Sequence, residues 1–305
     1  MELDHSPVMT REIVDAFSTC LPGSFIDGTV GLGGHSEALL EAYPGSQALG
    51  IDLDGEALTL AEKKLSRFGA SFFSVKGSYC DVVDITRREG VADVSGVLLD
   101  FGLSSLQLDT PVRGFSFRGD APLDMRFGDS GDITAAKIVN SYPQDELANL
   151  IFAYGEEHRS RRISAAIVRD RPILNTSQLV ISIESAVGKQ RGRIHPATKT
   201  FQALRIAVNN ELDNVKDGLK EAIKVLNVDG RLAVISYHSL EDRIVKFFFR
   251  EQASSCLCPR EVMVCECDHN PSIRLVNKKI MRPSKAEIAA NFRSRSARLR
   301  VAEKI

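Results

Sequence analysis

Short apolar runs alternate with stretches of helical spacing over the first hundred residues of the chain. Four of these runs have the length and composition of buried strands: Ser24–Asp27, Ala48–Asp52, Ser71–Val75 and Gly96–Asp100. Residues 36–43 and 55–68, which lie between the first three runs, carry apolar residues at helical spacing. Such an alternation predicts βα units and a parallel sheet.

From about residue 109 the strand pattern disappears, and only helical spacing continues to residue 199. Helices are predicted over 132–141, 145–154, 159–169 and 177–187. An amphipathic helix over 200–226 and a strand over Arg231–Ser236 then restore the first pattern. We therefore predict an α/β domain formed by residues 1–108 and 200–305, into which residues 109–199 insert an all-helical subdomain.

The composition is that of a soluble globular protein. Of its 305 residues, 43% are hydrophobic and 26% charged, which is too apolar for a disordered chain. No apolar run approaches the roughly 18 residues of a membrane helix, and the first residues lack the basic and apolar segments of a signal peptide. We therefore expect a cytoplasmic protein without membrane contact, whose six cysteines stay reduced.

The formal net charge of −1 is a cancellation between segments. Residues 1–104 hold 16 acids and 7 bases, whereas residues 155–205 hold 10 bases and 4 acids, and residues 270–305 hold 10 bases and 2 acids. A solvated helix face would explain a basic run in the insert alone. Two basic segments beside an acidic domain favour an anionic polymer such as RNA as the partner.

The most informative motif is a glycine-rich turn that follows the first predicted strand. It reads Asp27-Gly28-Thr29-Val30-Gly31-Leu32-Gly33-Gly34-His35-Ser36, and Asp52 ends the next strand. Glycines allow a tight turn, and an acid at this distance can accept hydrogen bonds from ribose hydroxyls, so the motif indicates a nucleoside-containing cofactor, NAD included. Asp27 would repel a pyrophosphate at the following helix, however. S-adenosylmethionine has no phosphate, and Asp27 and Asp100 suit its ammonium and sulfonium groups.

Asp100 ends the fourth strand, so three of the four predicted strands end in Asp at the edge where open α/β sheets bind ligands. Methyltransferases that modify exocyclic amines hold the acceptor nitrogen at this position. Their Asp/Asn/Ser-Pro-Pro-Tyr/Phe motif is absent here, because Asp100 is followed by Phe-Gly-Leu. Tyr79, which follows the third strand, either packs against the adenine or belongs to the core.

With these residues assembled, the chain resembles the MraW-type ribosomal RNA small subunit methyltransferase H family. The matching runs are His5–Met9, Asp27–Thr29, Gly33–Ser36, Leu98–Ser105, Gln107–Asp109, Arg113–Phe117, Leu123–Arg126, Tyr154–Glu157, His195–Thr198, Thr200–Arg205 and His238–Arg243. The resemblance covers essentially the whole chain. It implies a Rossmann-like class I methyltransferase domain with a helical insert, and S-adenosylmethionine-dependent N4-methylation of a cytosine in the decoding region of bacterial 16S rRNA. The implied partner is 16S rRNA or the small ribosomal subunit.

By motif position, the resemblance also implies the residues that contact the cofactor. They are Gly33, Gly34, His35, Asp52, Tyr79, Asp100 and Gln107, with Asp27 as a further candidate. Asp100 is in addition the candidate for the acceptor site.

Two further groups of residues each have a functional and a structural interpretation. His238 follows a strand on the ligand side of the sheet and is a catalytic candidate. It either helps to hold the cytosine or its phosphate, or belongs to a helix cap built on Ser239 and Asp242. Arg113, Phe115, Phe117 and Arg118 combine rings that can stack on a base with cations for phosphate, or the rings pack inside the insert. His35 and His195 are interpreted as structural or cofactor contacts rather than general bases.

Four cysteines lie within twelve residues near the C-terminal part of the chain. Cys256, Cys258, Cys265 and Cys267 form two C-x-C pairs, which suit either a structural Zn²⁺ or a loop of free reduced thiols.

Two alternatives compete with the methyltransferase. An NAD-dependent oxidoreductase is disfavoured by Asp27 and by the basic segments. The second alternative is an RNA-binding ribosome-assembly factor that keeps the fold without catalysis. The sequence does not distinguish it from an active methyltransferase. The sequence also carries no signal of the oligomeric state, and it is compatible with a homodimer.

Overall fold

The computed structural model describes residues 7–102, 113–117, 119–128, 131, 133–189, 195–259, 261 and 264–305. The chain divides into two compact units. The larger one comprises Met1–Gly102 with Leu212–Ile305, and the smaller one Leu103–Glu211. Within the described residues, no helix combines the length and the apolar composition that a membrane crossing requires.

The larger unit contains a seven-stranded sheet with the order β3-β2-β1-β4-β5-β7-β6. The strands are β1 (Ser24–Asp27), β2 (Gln47–Asp52), β3 (Phe72–Lys76), β4 (Val94–Asp100), β5 (Leu226–Ser236), β6 (Ile273–Leu275) and β7 (Arg298–Lys304). Strands β1 to β5 pair in parallel, while β7 runs antiparallel to both β5 and β6. The predicted α/β class with parallel βα units is therefore confirmed.

Helices cover both faces of this sheet. They are α1 (Thr10–Phe17), α2 (Gly34–Ala42), α3 (Gly55–Leu65), α4 (Val82–Glu89), α10 (Glu211–Val225), α11 (Ser239–Gln252) and α12 (Lys285–Ala290). Successive strand residues point to opposite faces, so Phe25 packs in one apolar cluster with Phe17 of α1, whereas Ile26 packs in another with Leu219 of α10. Burial on both faces explains why the strands read as continuous apolar runs.

The last two strands, β6 and β7, were absent from the sequence prediction. The charged residues of β7 hide its pattern, because Arg298 and Arg300 alternate with the buried Leu299 and Val301. Both arginines bind Asp242, and the Arg300 Nε donates to Asp242 Oδ1 at 2.8 Å. Part of the basic C-terminal segment 270–305 therefore forms the last two strands of the sheet.

The smaller unit is helical in its described part, in agreement with the predicted insert. Its helices are α5 (Ala135–Ser141), α6 (Gln144–Gly155), α7 (Ser160–Arg169), α8 (Thr176–Val187) and α9 (Ala197–Asn209). Their apolar residues, among them Ile138, Ile151 and Ile167, form a separate core.

The single helix predicted over 200–226 is wrong. The structure has two helices, α9 and α10, which are separated at Asn210, where φ is +49°. A left-handed residue ends a helix, and asparagine tolerates that conformation. The predicted domain boundary at 199/200 lies inside α9, whereas the compact units meet at Glu211 and Leu212.

Candidate functional site

The glycine-rich turn joins the end of β1 to the start of α2. Gly33 is the N-cap of α2 with φ at +77°, a left-handed conformation that glycine adopts without steric cost. The Gly33 N–H donates to the Val30 carbonyl at 2.7 Å, and the Val30 N–H donates to the Ile51 carbonyl at 3.0 Å. These hydrogen bonds hold the turn against the end of β2, and Gly34 and His35 form the first residues of the helix.

Asp27 lies at the end of β1 and is buried, with only 1% of its surface exposed. Its Oδ2 accepts a hydrogen bond from the Ser36 hydroxyl at 2.8 Å, and its Oδ1 accepts from the Thr29 N–H at 3.4 Å. Burial raises the pKa of Asp27 from 3.8 to about 6, against the opposing effect of His35. The fold therefore holds a carboxylate where its charge is costly.

Asp52, at the end of β2, is tied to two loops by its carboxylate. Its Oδ2 accepts from the Gly31 N–H at 2.9 Å, and its Oδ1 accepts from the Asp54 N–H at 3.0 Å. Burial raises the pKa of Asp52 as well. Each carboxylate oxygen has two lone pairs, so both can accept a further hydrogen bond, such as those from ribose hydroxyls.

Asp100, at the end of β4, completes a row of three acids, which we call the acidic edge (Asp27, Asp52 and Asp100). Its Oδ1 accepts from the Gly102 N–H at 3.1 Å, and its Oδ2 accepts from the Tyr237 hydroxyl at 3.4 Å. The Nδ1 of His35 lies 3.9 Å from the same Oδ2. Burial raises the pKa of Asp100. Asp27 and Asp100 are close enough for the charge of Asp100 to raise the pKa of Asp27 further.

His35 connects this edge to the N-terminal segment. Its buried ring donates from Nε2 to the Val8 carbonyl at 2.8 Å, because a carbonyl can only accept. The next residue, Met9, donates its N–H to Glu287 Oε1 of α12 at 2.7 Å. The contact of His35 with Val8 is a structural one, and its contact with a cofactor stays a prediction.

Tyr79 packs against the sheet-covering residues of the larger unit. Its ring centroid lies 5.7 Å from that of Phe101, at an angle of 47°. On α10, a Cβ at Gly218 would stand 2.2 Å from Tyr79 Cδ2, so only glycine permits this approach of helix and ring. Tyr79 thus belongs in part to the core, and its contact with an adenine stays a prediction.

His238 is the N-cap of α11 and forms a capping box with Glu241. Its Nδ1 accepts from the Glu241 N–H at 3.3 Å, and the Glu241 carboxylate accepts from the backbone N–H groups of Tyr237 and His238 at 2.8 and 3.2 Å. The His238 Nε2 lies 3.0 Å from Glu241 Oε1. The predicted cap on Ser239 with Asp242 is therefore displaced by one residue. The described contacts of His238 are those of a cap, and its catalytic role stays a prediction.

In the smaller unit, the aromatic residues of the 113–118 motif contact other rings. Phe115 is buried and stacks on Phe127 at 5.7 Å, while Phe117 stacks on His195 at 4.8 Å. The ring of His195 also caps α9, because its Nδ1 accepts from the Ala197 N–H at 3.1 Å. These contacts favour the packing interpretation of both phenylalanines. Arg118 and the predicted cofactor residue Gln107 lie outside the described residues.

The four cysteines of the two C-x-C pairs come together in the larger unit. The sulfurs of Cys256, Cys258, Cys265 and Cys267 all lie within 4.8 Å of one another. Hydrogen bonds from the backbone N–H groups of Leu257 and His269 lower the pKa of Cys267 to about 6. The sequence prediction that these residues could share a metal ion is compatible with this geometry.

Two contacts of the acidic edge were missed by the sequence reasoning. Tyr237, which donates to Asp100, directly follows the end of β5, and its position at the carboxyl edge of a predicted strand was an available signal. Thr29 also binds this edge, since its Oγ1 accepts from the Asp100 N–H at 2.6 Å. No pattern in the sequence indicates that pairing.

Comparison with known proteins shows the family of the chain. The model of the MraW methylase family matches residues 2–305. A protein of Dehalococcoides mccartyi named ribosomal RNA small subunit methyltransferase H is 51% identical over 100% of this chain and 88% of its own length. A protein of Syntrophobacter fumaroxidans with the same name is 46% identical over 99% and 97%. The solved structure of an rRNA methylase from Streptococcus thermophilus covers 97% of this chain and 93% of its own, at 10% identity and a TM-score of 0.42.

Proposed function

Because the chain belongs to the MraW methylase family and is a methyltransferase, we propose that it transfers a methyl group from S-adenosylmethionine to N4 of a cytosine in the decoding region of bacterial 16S rRNA. The observation that carries the proposal is the acidic edge, three carboxylates at the ends of β1, β2 and β4 beside a glycine-rich turn. The name shared by the curated relatives, a methyltransferase of small subunit ribosomal RNA, supports the choice of substrate.

The chemistry of the acidic edge fits S-adenosylmethionine better than a dinucleotide. Asp27 and Asp100 place two acids with raised pKa values near the N-terminus of α2, where a pyrophosphate would otherwise bind. A cation at this place lowers the free energy of both ionised carboxylates. The Asp52 carboxylate is positioned by the backbone N–H groups of Gly31 and Asp54, and it can accept further hydrogen bonds from the ribose hydroxyls. Gly33, Gly34 and His35 would surround the remainder of the cofactor, and Tyr79 the adenine.

The bound cofactor supplies an electrophilic methyl group on its sulfonium. The chain has to orient a weak nucleophile, because the lone pair of the cytosine amine is delocalised into the ring. Asp100 is positioned by Gly102 and Tyr237 and can accept a hydrogen bond from that amine. When bound, S-adenosylmethionine would supply the methyl group and leave as the neutral thioether, and Asp100 would be placed to accept the proton that N4 gives up. Burial raises the pKa of Asp100, which makes its carboxylate a stronger base for that proton.

The helical subdomain is proposed to bind the RNA. Arg161 and Arg162 are exposed on α7, so both side chains can contact phosphate without any change in the packing of the core. Phosphate contacts of this kind provide affinity and positioning but no sequence specificity.

Two experiments test the proposal against its alternatives. Isothermal titration should show binding of S-adenosylmethionine and none of NAD, and the reverse result would support an oxidoreductase. Mass spectrometry of 16S rRNA should show loss of one cytosine N4-methyl group in cells without the gene. The wild-type gene should restore that methyl group, and an Asp52→Ala gene should not. Unchanged methylation in the deletion would refute the proposal in favour of an assembly factor.

A further inference from the structure

The segment between α11 and β6 leaves the body of the larger unit and returns to it. Its two ends are fixed together at the base, where the Ser272 N–H donates to the Gln252 carbonyl at 2.8 Å and the Ser272 hydroxyl donates to Gln252 Oε1 at 2.7 Å. Close by, the His269 Nε2 donates to the Glu251 carbonyl at 3.0 Å. The described residues between 253 and 271 therefore belong to a closed excursion, and we call the segment 253–271 the cysteine finger.

Beyond Ala253 at its base, which packs against a core cluster of the larger unit, the described residues of the cysteine finger contribute nothing to a hydrophobic core. Buried residues flank it, Phe249 on one side and Ile273 on the other, but each described residue between 253 and 271 is exposed or half-buried. Leu257 and Val264 have 44% and 73% of their surfaces exposed. Ordering each residue costs about 1 to 2 kcal/mol of backbone entropy, so an excursion with this little apolar burial requires another stabilising contact.

The cysteines are the groups that meet inside the finger. Cys265 and Cys267 have their sulfurs 3.5 Å apart, and those of Cys256 and Cys267 are 3.8 Å apart. All four sulfurs lie within 4.8 Å of one another, two from the outgoing and two from the returning part of the finger.

Backbone N–H groups point at these sulfurs. The Leu257 N–H donates to Cys267 at 3.3 Å, the Cys258 N–H donates to Cys256 at 3.4 Å, and the Glu266 N–H donates to Cys258 at 3.4 Å. N–H donors stabilise thiolates more than thiols, because they interact with the negative charge. Two of these bonds also cross between the outgoing and the returning parts of the finger, so the backbone is already arranged around the four sulfurs.

We propose that Cys256, Cys258, Cys265 and Cys267 bind one Zn²⁺ in a tetrahedral structural site that holds the cysteine finger together. A set of four thiolates leaves no open coordination position, so the ion has a structural role rather than a catalytic one. On binding, the four thiols release four protons to the solvent, and the site acquires a net charge of −2. The N–H donors offset part of that charge. Metal binding thereby supplies the stability that the finger lacks in apolar contacts.

Elemental analysis of the full-length protein, purified without added metal or chelator, tests the proposal. We expect about one zinc per chain. The double variant Cys256→Ser/Cys267→Ser should lose it, whereas Cys20→Ser, which changes a half-buried cysteine outside the finger, should keep it. A chain with less than about a tenth of an equivalent of zinc and four rapidly titrating thiols would overturn the proposal. Stoichiometric iron with visible absorption would overturn it in favour of an iron–sulfur cluster.

A second measurement covers the case in which the double variant fails to fold. The wild-type protein is stripped with a chelator and titrated with Co²⁺, and we expect the visible absorption bands of a tetrahedral tetrathiolate site that saturate at one equivalent. Limited proteolysis should then cut the stripped protein within residues 253–271 at least tenfold faster than the Zn²⁺-loaded protein. Equal cleavage rates, or Co²⁺ spectra without thiolate bands, would contradict a structural metal in the finger.

Discussion

Asp27 offers the sharpest test of the acidic edge, because its burial has a calculable effect on stability. In the unfolded chain its pKa is 3.8, and in the native protein burial raises it to about 6. Between these values the native state binds more protons than the unfolded state, so the stability contributed by Asp27 falls as the pH rises from about 4 to about 6 and stays lost above that range. Two pKa units correspond to at most about 3 kcal/mol.

Asp27→Asn removes the charge, its Oδ1 can still accept from the Thr29 N–H, and its Nδ2 can donate to the Ser36 hydroxyl oxygen in place of the original hydrogen bond. We therefore expect the variant to be more stable than the wild type by about 3 kcal/mol at pH 8 and by only about 1 kcal/mol at pH 4.5, if no ligand is present. Urea unfolding at both pH values measures the difference. Asp84→Asn, which changes a carboxylate with 80% of its surface exposed, should produce no comparable change. A destabilised Asp27→Asn at pH 8, or a difference independent of pH, would refute the reasoning.

The same variant should bind S-adenosylmethionine more weakly, since the cationic cofactor stabilises the ionised carboxylate. For the wild type, protonation of Asp27 competes with the cofactor, and affinity should be constant above about pH 7 and about tenfold lower at pH 5. For Asp27→Asn the profile should lose this step. Adenosine lacks both cationic groups, and its binding should not follow the ionisation of Asp27. Identical profiles for the two proteins would show that Asp27 does not face the cofactor.

Three further variants examine the remaining parts of the proposal. Asp52→Ala should weaken binding of S-adenosylmethionine by about 10- to 100-fold in isothermal titration and leave RNA affinity unchanged. Arg161→Glu with Arg162→Glu should do the opposite and reduce the salt dependence of RNA binding, and equal loss of both ligands in either variant would contradict this division. Gly218→Ala should destabilise the protein by about 1 to 3 kcal/mol, although alanine favours a helix, because its Cβ would overlap the Tyr79 ring. In a Tyr79→Ala background the same change should become stabilising in thermal unfolding, and an unchanged sign would show that the overlap is relieved elsewhere.

The first half of the sheet was predictable because its strands are buried on both faces. The predicted strand Ser24–Asp27 has the observed bounds, and the other three differ from β2, β3 and β4 by one or two residues. Each strand of this kind shows a continuous apolar run, and the acid at the end of β1, β2 or β4 marks where it leaves the core. The prediction of acids gathered at the carboxyl edge followed from topology alone, because parallel strands end on the same side.

The last two strands, β6 and β7, were not predictable by the same reasoning. In β7 the positive charges of Arg298 and Arg300 are compensated by the carboxylate of Asp242 in α11. This contact joins residues more than fifty positions apart in the sequence. The cap of α11 was misplaced for a related reason. Glutamate at 241 accepts from the backbone of Tyr237 and His238, and histidine in place of serine as the N-cap residue follows no common sequence rule.

The structure also changes what the segmental charges imply for the RNA surface. The C-terminal segment 270–305 holds 10 bases, but Arg298 and Arg300 bind Asp242, and Arg274 forms an ion pair with Glu303. Those three charges are partly neutralised within the larger unit. If one of these arginines bound a phosphate instead, its ion pair, which helps to hold β6 or β7 in place, would be lost. Arg161 and Arg162 are exposed on a helix of the smaller unit, and among the described residues neither forms an ion pair that phosphate binding would break. Charge reversal on that helix should therefore reduce RNA affinity more than neutralising Arg298, which should mainly lower stability.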